Sequence, residues 1–239
     1  MWDWDYAAGL LPKLLPAFRT TVGVTLLGFL LSIAMGLLLA IVGRSRYRVF
    51  RYSVRAVVEF IRSTPLLVQL FFLFMFLPQV LPIAPSAFVT GIITLGVHYG
   101  TYLSEVFRSG IDAIPKGQWE AATALHLSKR KIWLSIILPQ AIPPVIPVMG
   151  NYLIVIFKET PALMAITLGE MLMATKNEVS ATYRVFEPYT VVGILFIVVS
   201  LIFSYGFQWL ERRFLQRKYE RKGGEASDSK ARAKIGSNA

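Results

Sequence analysis

The chain has 239 residues, 55% of them hydrophobic and only 16% charged, with a mean hydropathy of +0.55, a composition outside that of soluble globular domains. It contains no cysteine, which excludes disulfides and thiolate metal sites. A net charge of +11 brings nucleic acid to mind, but the placement of that charge along the chain excludes it.

The opening stretch MWDWDYAAGL lacks the positive n-region of a secretory signal, so no cleaved leader is expected. Residues 1–17 read as an extracytoplasmic segment whose Trp2, Trp4 and Tyr6 form an interfacial aromatic belt. Charge-free runs follow: 24 residues between Arg19 and Arg44, 42 between Arg62 and Glu105, 26 between Lys131 and Lys158, and 23 between Glu187 and Glu211. A hydrocarbon core about 30 Å thick needs roughly 20 helical residues, so the second run crosses twice. The chain therefore reads as an all-α membrane protein with five spans, approximately 21–42, 54–77, 87–107, 140–157 and 189–210. Ser86, at the end of the proline-rich LPQVLPIAPS, is an N-cap for the third span.

Lysine and arginine counts set the orientation. Segments 43–62 and 104–131 together with the tail beyond Leu210 hold twenty, and the alternate segments hold five. This bias places the N-terminus outside and the C-terminus in the cytoplasm. Residues 211–239, ending in GGEASDSKARAKIGSNA, read as a basic, disordered cytoplasmic tail.

With that orientation EAATALHLSKRKIWLSIILPQ, residues 120–140, lies in the cytoplasm between spans three and four. Gln118 to Leu125 are good helix formers, Glu120 suits the positive end of a helix dipole, and Ala121, Ala124 and Leu125 share a face. Ser128 caps a second short helix that starts at Lys129, Arg130 and Lys131 and returns to the membrane through Ile132, Trp133, Ile136 and Ile137. Two readings stay open on physics alone: a connector lying on the membrane surface, or a docking element whose small alanines admit another backbone.

Polar groups inside spans are costly and face a bundle or cavity. Candidates for a solute pathway or gate are Thr64, Pro65, Gln69, His98, Tyr99, Tyr102, Glu105, Asn151, Lys158 and Glu159. His98, Tyr102 and Glu105 share one helical stripe; for His98 an interhelical hydrogen bond is the simpler reading and a ligand contact the sharper one. Glu105 and Arg108 are spaced to pair or to hold neighbouring spans at a gate. Pro65 and the prolines at 139, 143, 144 and 147 kink or break their helices. There is no GxxxxGK[ST] loop for binding ATP, and no paired His with Glu for a membrane-embedded enzyme. An ion-gradient-driven secondary transporter is the alternative class, against which the odd span count and nearly carboxylate-free spans speak.

Residues 120–140 resemble the EAA loop of ATP-binding-cassette (ABC) importer permeases: Glu-Ala-Ala, three residues, Gly, nine residues, Ile, one residue, Leu-Pro. Glu120, Ala121, Ala122, Ile136, Leu138 and Pro139 match in place. FIRSTPLLVQLFF, YLSEVFRSGIDAIPKGQWEAA and FKETPAL are similar to the polar amino-acid branch, and together the likeness covers roughly residues 18–210. It implies a type I ABC importer transmembrane fold in the bacterial inner membrane, with a coupling loop at 117–139. The chain would be a permease subunit rather than an enzyme and would bind no cofactor, with ATP and Mg held by a partner ATPase dimer. Gly117, Glu120, Ala121, Ala122, His126, Leu138 and Pro139 would meet that ATPase. A second permease chain, identical or related, an extracytoplasmic substrate-binding protein and membrane lipid complete the implied partners; nucleic acid is not among them. The MWDW start is similar to permeases for ectoine and hydroxyectoine. Two positions depart from the family pattern. His126 stands at the glycine, where a left-handed turn would cost a side chain strain, and Pro161 stands where serine is usual, removing a backbone donor beyond span four.

Overall fold

Backbone polar groups find no water in hydrocarbon, so crossing segments satisfy them internally as helices. The structure, a computed structural model, describes residues 2–236, with side chains through residue 213. Its elements are α1 Trp4–Gly43, α2 Arg48–Arg62, α3 Leu66–Val80, α4 Ala87–Asp112, α5 Lys116–Ala124, α6 Lys129–Ile166, α7 Met171–Thr182 and α8 Phe186–Gly236. The tail expected to be disordered lies, from residue 214 onward, outside the described side chains.

Three helices, α1, α6 and α8, are each long and apolar enough to cross a membrane, and the bent pair α2 and α3 counts as a fourth. The expected third span is α4, a helix of 26 residues whose length of about 39 Å suffices to cross. Its Gly, Thr, Ser and Tyr content makes it less apolar than the others, because its surroundings are protein: Thr90, Leu95, Thr101 and Leu103 are completely buried. Ser86 caps it as expected, its hydroxyl accepting the Val89 N–H at 3.3 Å.

The second span, expected at 54–77, needs correction. Proline has no N–H to donate and disfavours a helical residue before it, and α2 ends at Arg62 while α3 starts on Pro65, with 103° between them. Along α2, Arg48, Arg51, Arg55 and Arg62 line one side and Val49, Phe50, Val57 and Phe60 the other, the pattern of a helix lying in a membrane interface. The second span is therefore a bent pair whose apolar arm is α3.

The first and fourth expected spans also extend. α1 runs for 40 residues, about 60 Å, so the segment expected as a separate N-terminal piece is helical from Trp4 and continuous with the span. Asp3 caps it by accepting the Tyr6 N–H at 3.0 Å. Ser128 does accept the Lys131 N–H at 3.4 Å, but the helix it caps is not a short one; it continues through the fourth span to Ile166. Pro161 falls at the start of the terminal 3₁₀ turn Thr160–Ile166, where a missing N–H costs little. Pro78 in α3 and Pro139 in α6 each follow a wide π turn, Phe72–Phe76 and Ile132–Ile137. The wider turn accommodates a residue that cannot complete the i→i−4 ladder.

The most extensive contact in the bundle joins α1 to α4. Gly28, Ser32, Gly36 and Ala40 recur every four residues on α1, and Gly96, Gly100 and Ser104 do so on α4; all are buried. A Cβ at Gly100 would stand 2.8 Å from the Met35 Cβ, and one at Gly36 would stand 2.9 Å from the Leu103 Cβ. Small residues let the backbones approach where lipid supplies no hydrophobic drive between helices. Thr21, Thr25 and Ser32 donate to carbonyls of their own helix, so their burial leaves no donor unpaired.

At the opposite end from Arg44, the N-terminal helix is strapped to α7 and the turn after it. Lys13 pairs with Glu178 at 2.6 Å, Arg184 with Asp3 at 2.9 Å, and the Tyr6 hydroxyl donates to Glu178 at 3.2 Å. Tyr6 thus serves a polar contact, while Trp2 packs edge-on against Trp4 and Phe186 at 5.3 and 5.6 Å.

Gly100→Val is expected to lower stability by about 1–3 kcal/mol through overpacking, read as earlier unfolding in a detergent titration. Gly9→Ala, where an added Cβ meets nothing within 4 Å, should leave the midpoint unchanged. The strap should also be acid-labile. The hydrogen bond from Lys13 holds the Glu178 carboxyl below its ordinary range, and the Tyr6 N–H and then Arg184 do the same for Asp3. Depressed folded values contribute stability that is complete above the unfolded pKa and lost as pH falls through the folded one. Protease cleavage near the N-terminus should therefore rise below about pH 4 and stay flat near neutrality.

Candidate functional site

Pro65 frees carbonyls at the end of α2, and α3 supplies the group that satisfies them. The Gln69 amide nitrogen donates to the Ile61 carbonyl at 2.7 Å, the Thr64 carbonyl at 3.1 Å and the Thr64 Oγ1 at 2.7 Å. Its Oε1 faces His98 Nδ1 at 3.1 Å, so with the amide in this orientation His98 donates from Nδ1. His98 therefore makes the interhelical bond read as its simpler role. It joins the middle of α4 to the break between α2 and α3.

One turn along the same stripe of α4, Tyr102 makes the second contact with that break. The Arg62 guanidinium lies 4.6 Å from its ring centroid, close enough for a cation–π attraction. Tyr99, Tyr102 and Tyr152 gather with centroids 6.0 to 6.1 Å apart, and His98 lies 5.1 Å from Tyr99. Two clefts open beside this cluster. One, of about 710 Å³, lies between α2 and the ends of α1 and α4; the other, of about 410 Å³, lies between α4 and α6 and is lined by Tyr102, Pro144 and Tyr152. Arg62 and Glu105 line both.

Glu105 accepts from Arg108 Nε at 3.0 Å, the pairing expected. Arg108 also stands 3.9 Å from Asp112, which pairs with Arg44 at 2.5 Å and so ties the ends of α1 and α4. Among the described residues, the remaining pathway candidates do not join the cluster by a hydrogen bond or ion pair. Asn151 and Lys158 are exposed and Glu159 is half-buried near the far end of α6. Arg62 and Tyr152 were missed: the first counted only as a topology charge and the second sat in an apolar run. The Arg-Ser-Thr-Pro order was the available signal, since it sets a cation one turn before a break.

The EAA segment folds as α5 and a tight turn. Ala122 is the face held inward, buried with Ile114, Ile132, Ile137 and Ala141, and Trp119 meets Trp133 edge-on at 5.4 Å. Glu120, Ala121, Ala124 and Leu125 stay exposed, Leu125 at 72%. Ala121, Ala124 and Leu125, read from the sequence as sharing a face, are thus open together. Gly117 has open space around it, while Leu138 is half-buried and Pro139 exposed at the base of the segment. His126 takes φ 50°. Its N–H reaches the Thr123 carbonyl at 2.9 Å and the Leu127 N–H reaches the Ala122 carbonyl at 3.2 Å, the paired bonds of a Schellman cap. A left-handed position is therefore required here, and a histidine fills it.

His126→Gly should relieve that strain and stabilise the turn by about 1 kcal/mol, seen as slower amide exchange at Leu127. Gln69→Leu leaves the Thr64 carbonyl and the His98 ring without their partner, while the Ile61 carbonyl keeps the Thr64 hydroxyl at 3.1 Å. It should cost about 1–3 kcal/mol and speed amide exchange across residues 61–66 while α8 keeps its protection.

Comparison with known proteins agrees with this arrangement. Residues 28–216 match the family model described as "Binding-protein-dependent transport system inner membrane component". A probable amino-acid ABC transporter permease protein y4tG from Sinorhizobium fredii is 41% identical, over 83% of this chain and 86% of its own length. The arginine transport system permease protein ArtQ of Bacillus subtilis is 30% identical over 87% of this chain and 96% of its own. Among solved structures, an amino acid ABC transporter with histidines matches with a TM-score of 0.82 and 31% identity, covering 89% of this chain and 99% of that one. The MetNI methionine ABC transporter shares the fold, with a TM-score of 0.71, 18% identity, and coverage of 86% and 98%. The chain belongs to the family of binding-protein-dependent transport system inner membrane components, multi-pass subunits of ABC transporters.

Proposed function

We propose that the chain forms part of the translocation pathway of an ATP-driven importer for a polar amino acid or a related zwitterion, and that α5 couples it to a separate ATPase. The observation that carries the reading is the exposed Glu120, Ala121, Ala124 and Leu125 on a short helix anchored by Ala122 and Trp119. A face left open on an element held rigidly from behind suits docking into a partner's groove. Glu120 orients the contact, and the turn at His126 passes its displacement into α6, which carries Tyr152 at the cleft. The end bearing Arg44 and Arg108 faces the cytoplasm by its charge.

The partners that follow are an ATPase dimer holding ATP and Mg, a second permease chain, identical or related, and an extracytoplasmic substrate-binding protein. The names of similar permeases, for arginine and for glutamine, support an amino-acid solute, and the Arg62, Tyr102 and Tyr152 cluster supplies a cation and hydroxyls suited to a zwitterion. Ectoine and hydroxyectoine are the specific zwitterions to assay beside the polar amino acids.

Glu120→Arg reverses the docking charge on an exposed position. ATP-dependent uptake of labelled polar amino acids by vesicles containing the co-purified complex should fall about tenfold or more, with membrane insertion unchanged. Undiminished uptake in that variant would remove the docking role, and uptake by the chain alone without ATP would transfer it to the ion-driven class.

A further inference from the structure

We propose that α2 and the edge of the larger cleft beside it bind an anionic phospholipid, with the phosphodiester on Arg51 and Arg55, one turn apart, and the acyl chains on the apolar walls. The arginines at 48, 51, 55 and 62 are three, four and seven residues apart, which places them in one arc of the helix. None forms an ion pair with a carboxylate among the described residues. The opposite face is open and apolar, with Val49 at 74%, Phe60 at 70% and Phe50 at 54% exposure.

The cleft repeats this division. Leu39, Ala40, Val54 and Val58 form an apolar wall, and Arg55 and Arg62 supply charge. Its acids are Glu59 and Glu105; Glu105 is already held by Arg108, which leaves two arginines against Glu59. A small zwitterion has no use for the apolar wall or for the exposed Val49 and Phe60, and a soluble anion has none either. A phospholipid uses both, and the 103° turn at Pro65 lays α2 across the axis of α3, where headgroups and acyl chains meet. Arg51 and Arg55 lie outside the Arg62, Tyr102 and Tyr152 cluster, so the site stands apart from the identity of the transported solute.

The test is the purified full chain in phosphatidylcholine vesicles, with spin-labelled phosphatidylglycerol or spin-labelled phosphatidylcholine as the reporter. The wild type should hold the labelled phosphatidylglycerol several-fold more strongly. Arg51→Gln with Arg55→Gln should abolish that preference, two charges near the surface being worth more than a several-fold difference. Arg51→Lys with Arg55→Lys should keep it, as should Lys129→Gln with Arg130→Gln and Lys131→Gln, which removes the other basic knot. Helical circular dichroism on each variant separates lost binding from lost fold. An unselective wild type, a glutamine pair that keeps its preference, or displacement of the labelled lipid by soluble glycerol phosphate would each overturn the proposal.

Discussion

The close contact of α1 with α4 is the constraint on which the other helices depend. In a bilayer, burying leucine against leucine gains little over burying it against acyl chains, so association rests on contact distance and on polar groups satisfied within the bundle. Gly36 and Gly100 let the two backbones come within side-chain contact of Leu103 and Met35. That contact fixes the rotation of α4, and the rotation aims His98 and Tyr102 together at the break between α2 and α3. A bulkier residue at Gly96 or Gly100 therefore acts at two distances: it parts the pair locally and swings the stripe that holds the break.

The break itself is fixed rather than loose. A proline in a crossing helix leaves carbonyls that hydrocarbon cannot satisfy, and Gln69 closes this one from within the next helix. Because the same amide also meets His98, the end of α2 keeps a fixed position relative to α4, and Arg62 is presented to both clefts from it. Polar residues inside the membrane here satisfy backbone first and line space second.

What the sequence made legible follows the range of the forces involved. Ser86 and Ser128 cap their helices because a cap is settled by neighbours three residues away. The Glu105 and Arg108 pair is equally local. Charge-free runs found the spans but drew the second one straight through Pro65, because a window on charge does not register a change of direction. The cluster around Arg62 was not readable, since Tyr102 and Tyr152 reach it from two other helices. Gly28, Ser32 and Gly36, with Gly96, Gly100 and Ser104, were present as a spacing of four, but which helix meets which is a tertiary fact.

The wide turn at Ile132–Ile137 sets a phase relation between the two ends of α6. A π turn holds one residue more than the α-helical ladder accommodates, and one residue amounts to a rotation of about 100°. The face that Trp133 shows to α5 and the face that Tyr152 shows to the cleft are thus related by an offset that no uninterrupted helical wheel reproduces. Were the surplus residue to migrate along the helix, the segment it passed would turn as a screw does, with both ends held in place.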